Sequence, residues 1–206
     1  MLPLLALLSL AACAATAGRS VRPSRPLGFP ATCAHEGRRL VVVPLGEVAA
    51  VSLERLAARY RRAYGLEVTV SPALPLPPQA YDAARRQWFG ELLLDALDRD
   101  HPATADTALV LGVLPHDLYL QSMPWRFAFS AFHRRTAVVS TARLDPVFFH
   151  EAPDPERRDE RLYKLVTRLL GSSLCELPRR GSEHSVMRET ILSLEHLDGI
   201  DESRWD

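Results

Sequence analysis

Between Arg39 and Val70 the chain sets out one supersecondary unit. RLVVV, Arg39 to Val43, is a β-branched run that reads as a buried strand ended by Pro44. Ser52 is placed as an N-cap for a helix to Tyr64, with Leu53, Leu56, Ala57, Tyr60 and Tyr64 on one face and Gly65 closing it. LEVTV, Leu66 to Val70, then alternates apolar residues against Glu67 and Thr69. Strand, helix, strand in so short a span implies a crossover and a parallel pair.

The remaining segments extend that plan. Pro72 to Pro78 is a connector without helix potential. Tyr81 to Leu97 reads as a helix with Trp88, Phe89, Leu92, Leu93, Ala96 and Leu97 on its apolar face, ending before Pro102. Thr107 to Val113 is a third strand. Phe127 to Phe129 and Ala137 to Ser140 read as short strands around His133, Arg134 and Arg135. Asp154 and Pro155 are placed to cap and start a long helix, Arg157 to Ser173, and Glu189 to Leu197 reads as a last amphipathic helix. The fold class is therefore α/β (α+β), a mixed, mostly parallel sheet packed against long helices. A chain of 206 residues is enough for one domain with a full core.

The stretch Arg161 to Met187, RLYKLVTRLLGSSLCELPRRGSEHSVM, carries the most specific signal. Leu162, Leu165, Val166, Leu169 and Leu170 form a buried stripe, and Gly171 and Ser172 mark where the helix is expected to end or bend. The stretch resembles the signature of the archaemetzincins, zinc metallopeptidases whose motif runs HExxHxxGxxHC, four residues, then CxM. Laid on this chain, Arg168 falls at the first histidine, Leu169 at the glutamate, Ser172 at the second histidine, Cys175 at the glycine, Pro178 at the third histidine and Arg179 at the cysteine. The motif methionine lands one residue before Met187, in SVM.

Other segments resemble the same family in the expected order. YDAARRQWFGELLLDAL is similar to YDxxRxQYxxxxLL, with Arg85 at the arginine; LGVLPHDLY to LGVTxxDLY; and STARLDP, Ser140 to Pro146, to SxxRL. The resemblance spans about Leu40 to Asp198. It implies a zincin-like fold, an edge strand near Ala137 to Ser140 beside a substrate cleft, and a floor at Met187. It also implies that the zinc chemistry is gone, because arginine stays protonated and leucine takes no proton from water.

Leu2 to Ala12 is apolar, too short to span a bilayer, and precedes Cys13 in LAAC, which resembles a bacterial lipobox. The expectation is a signal peptide over residues 1–12, lipidation at Cys13, a tether over 13–36 and a single domain over 37–206. On that reading the protein is exported and membrane-anchored. The alternative is a cytoplasmic chain with an untidy amino terminus. Cys33 and Cys175 either form one disulfide or remain two thiols; their separation decides nothing. The formal net charge of zero and the single lysine, Lys164, give no nucleic-acid footprint.

Seven histidines are scattered, none paired four apart on a helix. The one imaginable relocated metal set is Cys175, His184 and His196. The sequence thus points to a catalytically inactive homologue with no catalytic residues and no cofactor, keeping its cleft for a peptide or protein. Two alternatives are a zinc peptidase with relocated ligands and a structural envelope lipoprotein.

Overall fold

The computed structural model describes residues 25–33, 37–103, 107–124 and 126–206. The anticipated unit forms as β1 (Arg39–Pro44), α1 (Ala50–Tyr64) and β2 (Glu67–Val70), with β1 and β2 parallel. Ser52 is not the cap. Ala49 occupies that position, and the Ser52 hydroxyl instead accepts from Arg158 Nη2 at 3.1 Å. Gly65 adopts the left-handed conformation (φ 63°) and returns its N–H to Tyr60 O, closing the helix.

Residues expected to open the second helix form a hairpin instead, β3 (Tyr81–Asp82) and β4 (Gln87–Phe89). Asp82 Oδ1 accepts from Arg85 N at 3.0 Å, and Arg86 turns the chain at φ 57°. The helix, α2 (Gly90–Asp100), starts only at Gly90, where a Cβ would meet Leu120 Cδ2 at 2.6 Å. Trp88 and Phe89 sit in helical phase in the sequence yet stack from the hairpin on Tyr81 and Tyr119.

Then come β5 (Ala108–Leu114), buried throughout, β6 (Leu118–Tyr119), β7 (Ser130–His133) and β8 (Thr136–Ser140). The expected strand at Phe127 to Phe129 is displaced to β7, and the turn to β8 uses Arg134 at φ 54°. The main sheet runs β2-β1-β5-β8-β7, parallel except for the antiparallel edge strand β7. A smaller sheet, β3-β4-β6, stands beside it. The long helix α3 (Pro155–Leu174) is capped by Asp154 with Pro155 in its first turn, as expected, but runs through Gly171 without ending there. The last helix is only α4 (Leu194–Asp198).

The sheet's alternation assigns its two faces. Leu40, Val42, Leu109, Leu111, Val113 and Val139 pack with α1 and the Leu162/Leu165/Val166/Leu169/Leu170 stripe of α3. Val43, Val110, Leu114 and Val138 pack with Leu93, Leu94 and Leu97 of α2. This is a mixed α/β fold with a mostly parallel sheet covered by helices on both faces.

A second face of α3 holds the largely irregular C-terminal segment. Arg161 donates Nε and Nη2 to both Asp198 carboxylate oxygens at 2.7 Å and Nη1 to Leu144 O at 2.9 Å. Arg157 Nη2 adds a bond to Asp198 at 3.1 Å, and Lys164 Nζ donates to Asp198 O at 2.8 Å. One turn on, Thr167 donates to Glu202 at 2.8 Å and meets the buried Tyr60 hydroxyl at 2.9 Å. Gly171 then gives room that a side chain would fill, because its Cβ would meet Met187 Sδ and Trp205 Cζ3, each at 2.7 Å.

Residues 25–33, expected to be tether, belong to the packed domain. Phe29 lies against Tyr64 and Trp205, Trp205 Nε1 donates to Gly28 O at 3.0 Å, and Cys33 is disulfide-bonded to Cys175. The membrane-anchored, exported reading is also corrected. Cys13 and the apolar run before it lie outside the described residues. Among the described residues no helix is long and apolar enough to cross a membrane, and their two cysteines are bonded to each other, leaving no thiol for an anchor.

Burial alone would push the Asp198 carboxyl up, but Arg161 and Arg157 outweigh it and hold the group below its usual range. A depressed carboxyl stabilises fully above its unfolded pKa and ceases to as pH falls through its folded one. Asp198→Asn should therefore cost about 3 kcal/mol at neutral pH. The deficit, read by urea unfolding, should shrink as pH drops below about 4. Cys33→Ser opens a cross-link spanning 142 residues; it should cost about 3 kcal/mol in the same assay. Non-reducing digestion of the native protein should yield a linked Cys33–Cys175 peptide.

Candidate functional site

The middle of α3, the turn at Val186–Met187 and the segment after it enclose the residues that the sequence singled out. Arg168 is 7% exposed, and no ion pair reaches it among the described residues. Its guanidinium is held by main-chain oxygens: Nη1 donates to Val186 O at 3.3 Å and to Arg188 O, and Nη2 to Glu189 O at 2.9 Å. Desolvation, with Arg179 and Arg188 nearby, pushes its pKa down to about 10, so it remains a cation at neutral pH. These bonds also explain the missing start of the last helix. The carbonyls of Arg188 and Glu189 face Arg168 instead of a helical ladder.

Arg179 Nε donates to Ser172 Oγ at 3.0 Å, and its guanidinium lies 5.3 Å from the Phe132 ring. Partial desolvation there lowers its pKa. Met187 is 1% exposed and lies beside Gly171. Arg168, Ser172, Arg179 and Met187 thus share one region. Leu169 does not face it: it is 1% exposed and packs in the sheet core. Pro178 is exposed at the start of a turn closed by Arg180 N to Pro178 O at 3.0 Å.

The relocated metal set does not assemble. Cys175 is consumed by the disulfide. His184 Nδ1 is 2.8 Å from Gly199 O, and His196 Nδ1 accepts from Leu192 N at 3.4 Å. Among the described residues no three His, Cys, Asp or Glu side chains are grouped to hold a metal ion.

A cavity of about 470 Å³ opens beside Arg168, between residues 126–130 on one side and 189–192 on the other. Phe127, Phe129, Leu165 and Ile191 give it apolar walls, and Arg168 and Arg179 both reach it.

Sequence reasoning missed one constellation. Asp117 takes Arg143 Nε and Nη2 on its two oxygens at 2.7 Å each and Gln87 Nε2 at 2.8 Å. Arg143 in turn lies 4.1 Å from the Phe127 ring centre. Gln87, Asp117 and Arg143 come one each from QW, DLY and STARL, so the three motif-like segments meet at a single carboxylate. That common membership was the available signal. Arg85, the residue first noted, only pairs with Asp82 at 3.7 Å and covers the Tyr119 ring.

Comparison with known proteins agrees with this geometry. The archaemetzincin of Halobacterium salinarum is 30% identical over 139 residues, 66% of this chain and 78% of the relative. That of Pyrococcus furiosus is 33% identical over 140 residues, 64% and 71% respectively. The crystal structure of archaemetzincin from Methanopyrus kandleri matches with a TM-score of 0.64 and 30% identity, covering 82% of this chain and 89% of that one. A zinc-dependent peptidase from Methanocorpusculum labreanum shares the fold at a TM-score of 0.68 and 19% identity, covering 80% and 95%. No protein-family model matches the chain.

Replacing Arg168 by leucine would leave three main-chain carbonyls, that of Val186 buried and those of Arg188 and Glu189 partly so, without this donor. Arg168→Leu should lower stability by about 3 kcal/mol and loosen residues 186–189. Denaturant titration reads the first effect, and amide exchange at those residues the second.

Proposed function

The chain belongs to the archaemetzincin family, and we propose on that premise that it is a member without zinc or peptidase chemistry that keeps its cleft to bind a peptide or protein. The observation that carries the reading is the Arg168 guanidinium, desolvated and tied to main-chain oxygens at the position that matches the first zinc imidazole.

The residues do not fit a zinc ion. A catalytic site of this class needs three neutral ligands and an open position for water. Here the matching positions offer a fixed cation at Arg168, a Ser172 hydroxyl already taken by Arg179, and the exposed ring of Pro178. At about 4 Å and an effective dielectric of about 20, two like unit charges repel by roughly 4 kcal/mol, and a divalent ion doubles that. Leu169 is packed in the core, so no carboxylate stands there to activate water. Arg168 itself fixes the Met187 turn against α3 through its bonds to the carbonyls of Val186, Arg188 and Glu189.

What remains is a cleft with apolar walls beside the edge strand β7, whose strand partner among the described residues is β8. A sheet edge next to an apolar groove is suited to an extended peptide. Metal analysis of the purified protein, with peptide cleavage assayed with and without chelator, tests the proposal. Substoichiometric zinc and no chelator-sensitive cleavage are expected. Equimolar, tightly held zinc together with chelator-inhibited proteolysis would overturn it.

A further inference from the structure

The cavity beside Arg168 is built of two unlike parts. Phe127, Phe129 and Leu165 line it with apolar groups. Arg168, one turn along α3 from Leu165, lines it with Arg179 and Arg126 as cations. Neither Arg168 nor Arg179 has an ion pair among the described residues, and the charged groups that perturb Arg168 are themselves cations. Glu189 is the one carboxylate at the rim. Donors remain free. A guanidinium carries five N–H groups; Arg168 spends three of them on main-chain oxygens and Arg179 one on Ser172.

We propose that this cavity binds the C-terminal residue of a peptide, its carboxylate bridging Arg168 and Arg179 and its apolar side chain against Phe127, Phe129 and Leu165. The inference rests on the peptide-binding reading above and narrows it to an end-recognition site. A terminal residue supplies both halves of the match from one Cα: a planar anion for two forked donors and an apolar group for the neighbouring Phe127, Phe129 and Leu165. Both cations are partly desolvated, so an incoming carboxylate meets donors that already lack part of their water shell.

Calorimetric titration with N-acetyl-dialanyl-phenylalanine, its C-terminal amide and 3-phenylpropanoate tests the inference. The free acid of the tripeptide should bind, and amidation should weaken it about tenfold or more, the loss of a charge-assisted hydrogen bond. Arg179→Gln should weaken the free acid by a similar factor with a nearly unchanged unfolding midpoint, since Arg179 is exposed as a residue and its contacts are one hydrogen bond to Ser172 and the Phe132 ring. Equal binding of acid and amide, wild-type affinity in Arg179→Gln, or no binding of the tripeptide would overturn the inference. Phenylpropanoate binding as tightly as the tripeptide would overturn its peptide part and assign the site to a small free acid. Zinc content is measured on the same preparation. No zinc with no carboxylate preference sinks this inference alone, whereas stoichiometric zinc with chelator-sensitive cleavage sinks the reading beneath it.

Discussion

The structure depends on α3 being committed on two faces at once. Its leucine and valine stripe lies on the sheet, an ordinary amphipathic contact. Its other face presents Arg161, Lys164, Arg168 and Gly171, spaced at three and four residues, with Thr167 beside Arg168, all of them buried. On that face lie the turn at Val186–Met187, α4 and Trp205. This segment bonds much of its own main chain, and α3 adds to that: Lys164 and Arg168 donate to its carbonyls, while Arg161 and Thr167 donate to its Asp198 and Glu202 carboxylates. Buried charges of this kind are costly unless fully bonded. Here the bonding runs to Asp198, to Glu202 and to carbonyl oxygens.

Seen this way, the altered signature is more than a set of losses. Arg168, at the position that matches the first motif histidine, joins α3 to the Met187 turn with hydrogen bonds alone, directed at three carbonyls. Gly171 keeps the approach close, since a Cβ there would strike Met187 and Trp205. Cys175, at the end of the same helix, fastens residues 25–33 through Cys33. The elements that would frame a catalytic centre are therefore still held, by interactions that require no metal.

The Asp117 constellation does the same at the other end of the cleft. Gln87, Arg143 and Asp117 connect the small sheet to the loop after β8. Arg143 then supports Phe127, one wall of the cavity. The Glu202 carboxyl, pushed up by burial despite Arg59 and Thr167, shows that such networks are kept at some electrostatic cost.

The sequence by itself determined β1, α1 and β2, the buried strand β5, and α3 from its Asp154 cap through the leucine stripe. These are long or strongly periodic runs whose local pattern and burial agree. It also determined that Arg168, Leu169 and Pro178 offer no zinc ligands, since that is a matter of side-chain chemistry. Tertiary structure decided the rest. Trp88 and Phe89 fit a helical period, but their partners Tyr81 and Tyr119 drew them into a hairpin sheet. Residues 189–193 fit an amphipathic helix, but Arg168 claimed the carbonyls that its first turn needed. Cys33 and Cys175 could be paired only once α3 and residues 25–33 were brought together. Gln87, Asp117 and Arg143 each looked unremarkable alone. In most such cases the deciding partner lies 20 residues or more along the chain, and in the hairpin case Tyr81 lies across a turn, where a helical period carries no information.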